Sequence, residues 1–149
     1  MAPGLFDYPG TSADDADVIV LGDRTGAGWD LLREHGDLRR YRTGETVIAV
    51  DDVERALWIV VSGAVNVING RHLTDELAPG AVLGEAQFLA GIPATSTVRA
   101  ATDATLLRLS LDGFEVLAAI SPVLARHLLF ELARVQALRL QALRRLMER

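Results

Sequence analysis

Apolar residues along this 149-residue chain fall into three patterns, and the middle one has the spacing of short strands. From Leu38 onward they come in brief runs separated by turn residues. Val47-Ile-Ala-Val50 precedes an Asp51-Asp52 break, Leu57-Trp-Ile-Val-Val61 follows, and Val65, Val67 and Ile68 continue after Gly63. The run 57–61 is apolar on both faces, as a strand in a sandwich interior must be. Asn69-Gly70 predicts a type I′ hairpin turn because both residues tolerate positive φ, and Leu73 and Leu77 then lie on the return strand. Pro79-Gly80 marks a further turn. Thr97-Val-Arg-Ala100 and Thr105-Leu-Leu-Arg-Leu109 predict two more strands, joined at Thr102-Asp103. Many short strands at this spacing predict a sandwich, barrel or jelly roll.

The two ends depart from that pattern. Residues 1–26 are expected to be a flexible lead-in or tether, since residues 1–17 mix Pro, Gly, Ser and Asp. Within it, Val18-Ile-Val-Leu21 is a short apolar run suited to an edge strand or to docking on the body. Trp29, Leu31, Leu32 and His35 fit a short helix stopped by Gly36. The domain proper is therefore 27–149. Past the last strand the spacing turns helical. Ser110 caps a helix over 111–120 that carries Phe114, Leu117 and Ala118. Ser121-Pro122 supplies an N-cap and a proline at the first helical position, opening a helix over 122–148 with no Gly or Pro. At 1.5 Å per residue that helix is about 40 Å long. Leu128, Leu132, Val135, Ala142 and Leu146 lie on a four-three stripe, interrupted by Arg139 where an apolar residue is expected. The stripe predicts a partner helix and hence a homodimer. The alternative is that the first half packs on the β body while the remainder frays.

Composition narrows the function. Half of the residues are apolar, there is no Cys, and every basic residue other than His is Arg. Disulfides, thiolate metal sites and thiol nucleophiles are thereby excluded. No apolar run reaches the length of a membrane span, and the amino terminus lacks the features of a secretion signal, so a cytoplasmic protein is expected. Residues 1–125 carry 9 Arg against 18 Asp and Glu, whereas residues 126–149 carry 6 Arg against 2 Glu. An acidic body disfavours nucleic acid as the main partner, because phosphate binding needs a basic surface.

The distinctive chemistry lies between Pro79 and Ala100. Gly84 lets backbone approach a ligand closely, and Ala86-Gln-Phe-Leu-Ala90 suits one or two helical turns that Gly91-Ile-Pro93 ends. A helix opening at Gly84-Glu85 presents free N–H groups and a positive dipole end, which suits an anion. Thr95, Ser96 and Thr97 then add hydroxyls. This segment resembles the phosphate-binding cassette of the cyclic nucleotide-binding domain family, the catabolite activator protein-like β-rolls. Leu83-Gly84-Glu85 matches its opening and Pro93 to Ala100 its close. Arg42-Thr-Gly-Glu-Thr-Val47, Trp58-Ile-Val-Val-Ser-Gly63-Ala-Val, Leu107-Arg-Leu-Ser110, Phe114 and Pro122 extend the likeness over roughly residues 38–140. The fold it implies is mainly β with flanking α: a β-roll, a short helix and a long C-terminal helix.

The resemblance also implies site residues. Gly84, Glu85 and Ala86 would supply backbone groups to a cyclic nucleotide, cyclic AMP or cyclic GMP. The Glu85 carboxylate would accept a hydrogen bond from the ribose hydroxyl, Thr95 would contact the phosphate, and Ser96 would lie beside it. The family's phosphate-binding Arg is replaced by Ala94. A hydrogen bond to a charged group contributes about 1.5–3 kcal/mol, so its loss predicts binding about 10- to 100-fold weaker. Arg99, five residues on, is a candidate substitute. Against these roles, Glu85 also reads as a structural acid satisfying helix amides, and Thr95 as a strand-edge hydroxyl.

No catalytic constellation appears, so an enzyme is not expected. His35, His72 and His127 are dispersed without a second ligand at a metal-binding spacing, and there is neither a Gly-x-Ser-x-Gly elbow nor a Walker-type loop. No cofactor is implied. No helix-turn-helix follows the long helix in this sequence, so DNA binding through such a module is not expected of it. Two readings stay open: a regulatory sensor that passes ligand binding to a partner protein or fused domain, and a ligand-free dimerisation or docking module on the same fold.

Overall fold

The computed structural model describes residues 27–148. The elements run α1 (Ala27–His35), β1 (Asp37–Tyr41), β2 (Thr46–Ile48), β3 (Ala56–Ser62), β4 (Val65–Asn69), β5 (His72–Leu77), β6 (Val82–Leu83), α2 (Glu85–Ala90), β7 (Thr97–Ala100), β8 (Ala104–Ser110), α3 (Leu111–Ile120) and α4 (Pro122–Met147). The lead-in and the Val18–Leu21 run lie outside the described residues. The strands form two four-stranded antiparallel sheets, ordered β1-β8-β3-β6 and β2-β7-β4-β5. This is a β-roll with flanking helices, the architecture the sequence predicts.

Two cores explain why β3 is apolar on both faces. Side chains alternate across a strand, so Trp58 and Val60 point between the sheets, where they meet Ile48, Val65, Val98 and Leu106. Leu57 and Ile59 point to the other side of their sheet and pack under the helices with Leu107, Leu109, Leu117 and Leu128. β8 is divided in the same way, with Leu106 inward and Leu107 and Leu109 toward the helices.

Local signals set the helix boundaries. The Ser110 hydroxyl accepts from the Gly113 N–H at 3.0 Å and starts α3. The Ser121 hydroxyl accepts from the Leu124 N–H at 3.4 Å, and Pro122 opens α4. Two expectations need correcting. The hairpin pairs Asn69 with His72, so its tip is Gly70-Arg71, and of Asn69, Gly70 and Arg71 only Gly70 has positive φ, at 64°. A type I′ turn needs positive φ at both central residues, whereas glycine at the first of them fits type II′.

The second correction concerns α4. Leu128, Leu132 and Val135 are 0% exposed within the chain and belong to the core under the helices, so they cannot meet a partner helix. The stripe is a core stripe in its first half. Its continuation, Ala142 and Leu146, is exposed, as are Leu129, Phe130, Leu140, Leu143 and Met147. No helix among the described residues is long and apolar enough to cross a membrane.

Candidate functional site

The segment from β6 to β7 is built from a glycine-bounded helix. Gly84 precedes α2 with φ of 75°, and a Cβ there would meet the Ala56 carbonyl oxygen at 2.9 Å, so both backbone shape and space require glycine. Gly91 ends α2 in the same left-handed region, with φ of 67°. Between them Phe88 is buried and packs edge-on against Phe114 of α3, ring centroids 5.4 Å apart. The cassette helix is thus keyed into the C-terminal helices by one aromatic pair.

The loop between β2 and β3 clasps this segment from the other side. Asp51 takes positive φ, 71°, and its N–H donates to the Ala94 carbonyl at 2.7 Å. The Ala94 N–H donates back to the Asp52 carbonyl at 2.9 Å. The Gln87 amide donates to the carbonyls of Asp52 and Glu54 at 3.3 and 3.0 Å. Arg55 donates to the carbonyls of Gln87, Phe88 and Leu89 at the C-terminal end of α2, where the Gln87 carbonyl also accepts from the Gly91 N–H at 3.0 Å. Meanwhile the Arg55 carbonyl accepts from the Leu111 N–H at 3.0 Å, so one residue links the end of α2 to the start of α3.

A cavity of about 410 Å³ opens beside this segment. Gly84, Glu85, Ala86, Ala94, Thr95 and Ser96 all line it, so the six residues expected at the site do converge. Ile48, Val67, Leu77 and Val98 form its apolar wall. Ala94 is 9% exposed and belongs to the core between the sheets, held by its two backbone bonds to the clasp. A methyl group therefore stands where the family pattern has a guanidinium. Arg99 does not replace it. On β7 Val98 and Ala100 are buried and Arg99 between them is exposed, and it is not among the lining residues. Strand alternation turns it to the opposite face.

The cation at the cavity comes from elsewhere. Arg139 of α4 lines it, and its guanidinium pairs with the Glu85 carboxylate and donates to the Val82 carbonyl at 3.3 Å. Both charged side chains are largely covered, at 27% and 15% exposure. Sequence reasoning missed this residue as part of the site. Its one signal was the interruption of the apolar stripe of α4. Glu85 consequently has a structural partner as well as a place at the cavity wall. The arrangement can hold a small molecule by an apolar wall, a carboxylate acceptor and the hydroxyls of Thr95 and Ser96. Among the described residues no three His, Asp or Glu side chains gather into a metal site.

The family model described as cyclic nucleotide-binding domain matches residues 38–121. The chain is 33% identical over 106 residues to the HTH-type transcriptional regulator Cmr of Mycobacterium tuberculosis, covering 68% of this chain and 43% of that protein. It is also 33% identical over 87 residues to a cyclic nucleotide-gated potassium channel of Mesorhizobium japonicum, covering 58% of this chain and 24% of the channel. The chain thus spans less than half the length of these curated relatives. The crystal structure of the catabolite activator protein of Thermus thermophilus aligns with a TM-score of 0.69 at 24% identity, over 91% of this chain and 63% of that one, which shows a common fold. The two curated relatives are a transcriptional regulator and a channel.

Proposed function

The chain belongs to the cyclic nucleotide-binding domain family, and from that premise we propose that it is a non-catalytic sensor domain whose affinity for cyclic AMP and cyclic GMP is weakened by Ala94. The observation that carries this reading is the cavity itself. Gly84, Glu85 and Ala86 on one side and Ala94, Thr95 and Ser96 on the other frame a single space, with an alanine methyl at the position of the phosphate's guanidinium. A cyclic phosphate placed there loses hydration without gaining a bidentate counterion. Arg139 and Phe88 would pass a ligand's effect to α4 and α3, and from there to a partner protein or a fused domain in the cytoplasm. The relatives act in transcription and in channel gating, which supports a regulatory role.

Calorimetric titration of cyclic AMP and cyclic GMP into the native chain and into Ala94→Arg tests the reading. Restored guanidinium contact should tighten binding about 10- to 100-fold. Equal affinities in the two proteins would refute the role given to Ala94.

One observation favours the second reading, a dimerisation or docking module. Leu129, Leu140, Leu143 and Met147 share the outward face of α4 at helical spacing and are 40%, 51%, 57% and 85% exposed. That face, rather than Leu128, Leu132 and Val135, would meet a second copy. Sedimentation of the native chain and of Leu140→Arg decides: a dimer that the variant abolishes supports it, and a native monomer at tens of micromolar removes it.

A further inference from the structure

We propose that the cavity selects an uncharged, hydroxyl-bearing ligand of nucleoside size over a cyclic phosphate. This rests on the reading of the cavity as the binding site and goes further by naming the ligand's chemical class. The argument begins with charge. Asp75 and Glu85 are the acidic lining residues and Arg139 the basic one, so the lining carries a net charge of −1. The guanidinium of Arg139 is already engaged by the Glu85 carboxylate and the Val82 carbonyl. Among the described lining residues, no other cation faces an entering anion. A phosphodiester would therefore exchange bulk hydration for a lining that offers it no further countercharge, the unfavourable direction for burying a charge.

The remaining polar groups recognise a neutral molecule instead. A carboxylate has about four lone-pair sites, so Glu85 can keep Arg139 and still accept from a ligand hydroxyl. An ionised carboxylate is acceptor-only, which selects hydroxyl or amine donors. Thr95 and Ser96 can donate to, or accept from, a neutral oxygen or nitrogen. Opposite them, Ile48, Val67, Leu77 and Val98 offer an aliphatic surface for the face of a flat ring. The volume of about 410 Å³ falls in the range of sites that enclose small organic ligands, roughly 300–1,000 Å³. A diol, a flat heteroaromatic body and no charge together describe a nucleoside.

The test is a matched-pair titration of the native chain by calorimetry: adenosine against cyclic AMP, and guanosine against cyclic GMP. Each pair differs by the cyclic phosphate. At least one nucleoside should bind tenfold or more tightly than its cyclic phosphate, and Ala94→Arg, checked for folding by circular dichroism, should reverse that order. Tighter or equal binding of the cyclic phosphates by the native chain overturns the charge argument and leaves the cavity reading standing. A native chain silent to nucleosides beside an Ala94→Arg protein that takes up cyclic phosphates overturns the nucleoside assignment and leaves the cavity reading standing. Silence of both folded proteins toward all four compounds overturns the inference and the cavity reading together. If the variant fails to fold, the native comparison alone decides: nucleoside preference supports the proposal, and its absence overturns it.

Discussion

The two halves of α4 are one uninterrupted helix with opposite relations to the β-roll. Leu128, Leu132 and Val135 in the first half are fully buried against the sheet, with Leu57, Ile59, Leu107 and Leu109 beneath them. In the second half Leu140, Leu143, Leu146 and Met147 are all exposed, and the guanidinium of Arg139 reaches the roll. The first half holds by dispersion and removal of apolar surface from water, terms that are large and non-directional. Among the described contacts of the second half are the Glu85–Arg139 pair and the Arg139–Val82 carbonyl bond, which are small and directional. A helix fastened firmly at one end and lightly at the other is suited to changing position at its light end. That light end is the part standing at the cavity.

The largest expected effect tests the firm half. Leu132→Ala removes a fully buried side chain and should destabilise the fold by about 2–5 kcal/mol. Leu143→Ala, in the exposed half of the same helix, should change stability by less than about 0.5 kcal/mol. Thermal and urea denaturation of the two variants measure the contrast. Comparable losses would break it, by showing that the exposed half is covered by a partner or another segment.

The same contrast explains what could be read from the sequence. The roll was legible because its signals are local: the unbroken Leu57–Val61 run, the glycines at 84 and 91, and the Ser110 and Ser121-Pro122 caps act within a few residues of themselves. The cassette was legible for the same reason, since one short segment supplies Gly84 to Ser96. Three features were not. A stripe that packs on a sheet and one that packs on a partner helix have nearly the same period, so Leu128, Leu132 and Val135 read equally well as either. Asn69-Gly70 marks a hairpin, but cross-strand pairing in β4 and β5 set the turn one residue later. The relocated cation depends on a contact between residues 54 apart in sequence, and no local spacing reports that. Arg99 was near in sequence and on the wrong face, whereas Arg139 was distant in sequence and at the cavity.

An intermediate effect bears on where the helix is fastened. Ser121→Ala leaves the Leu124 N–H without its side-chain acceptor at the start of α4. Loss of an N-cap costs about 1 kcal/mol. Because the firm half begins at that cap, the whole cost should appear in global stability, measurable as a shift in the denaturation midpoint with an unchanged m-value. A change in m-value instead would mean that α4 detaches separately from the roll, and the two halves would no longer be distinguished by how they hold.

The smallest effect is the most specific to the light half. Glu85→Gln, Arg139→Gln and the double variant form a cycle around the contact that joins α4 to the cavity. Both side chains are partly covered, so the pair is screened less than a surface pair and more than a buried one. A coupling of about 0.5 kcal/mol is expected, falling as salt is raised. Hydrogen exchange supplies the discriminating readout: protection of the amides beyond residue 136 should fall in each single variant, while those around Leu128 and Leu132 keep theirs. Loss of protection along the entire helix would show that Arg139 fastens the firm half too. An unchanged pattern would show that the light end is held by something other than this pair. A fall confined to the second half would identify the Glu85–Arg139 contact as the point where cavity and helix position are energetically linked, so that any ligand drawing on Glu85 must also act on α4.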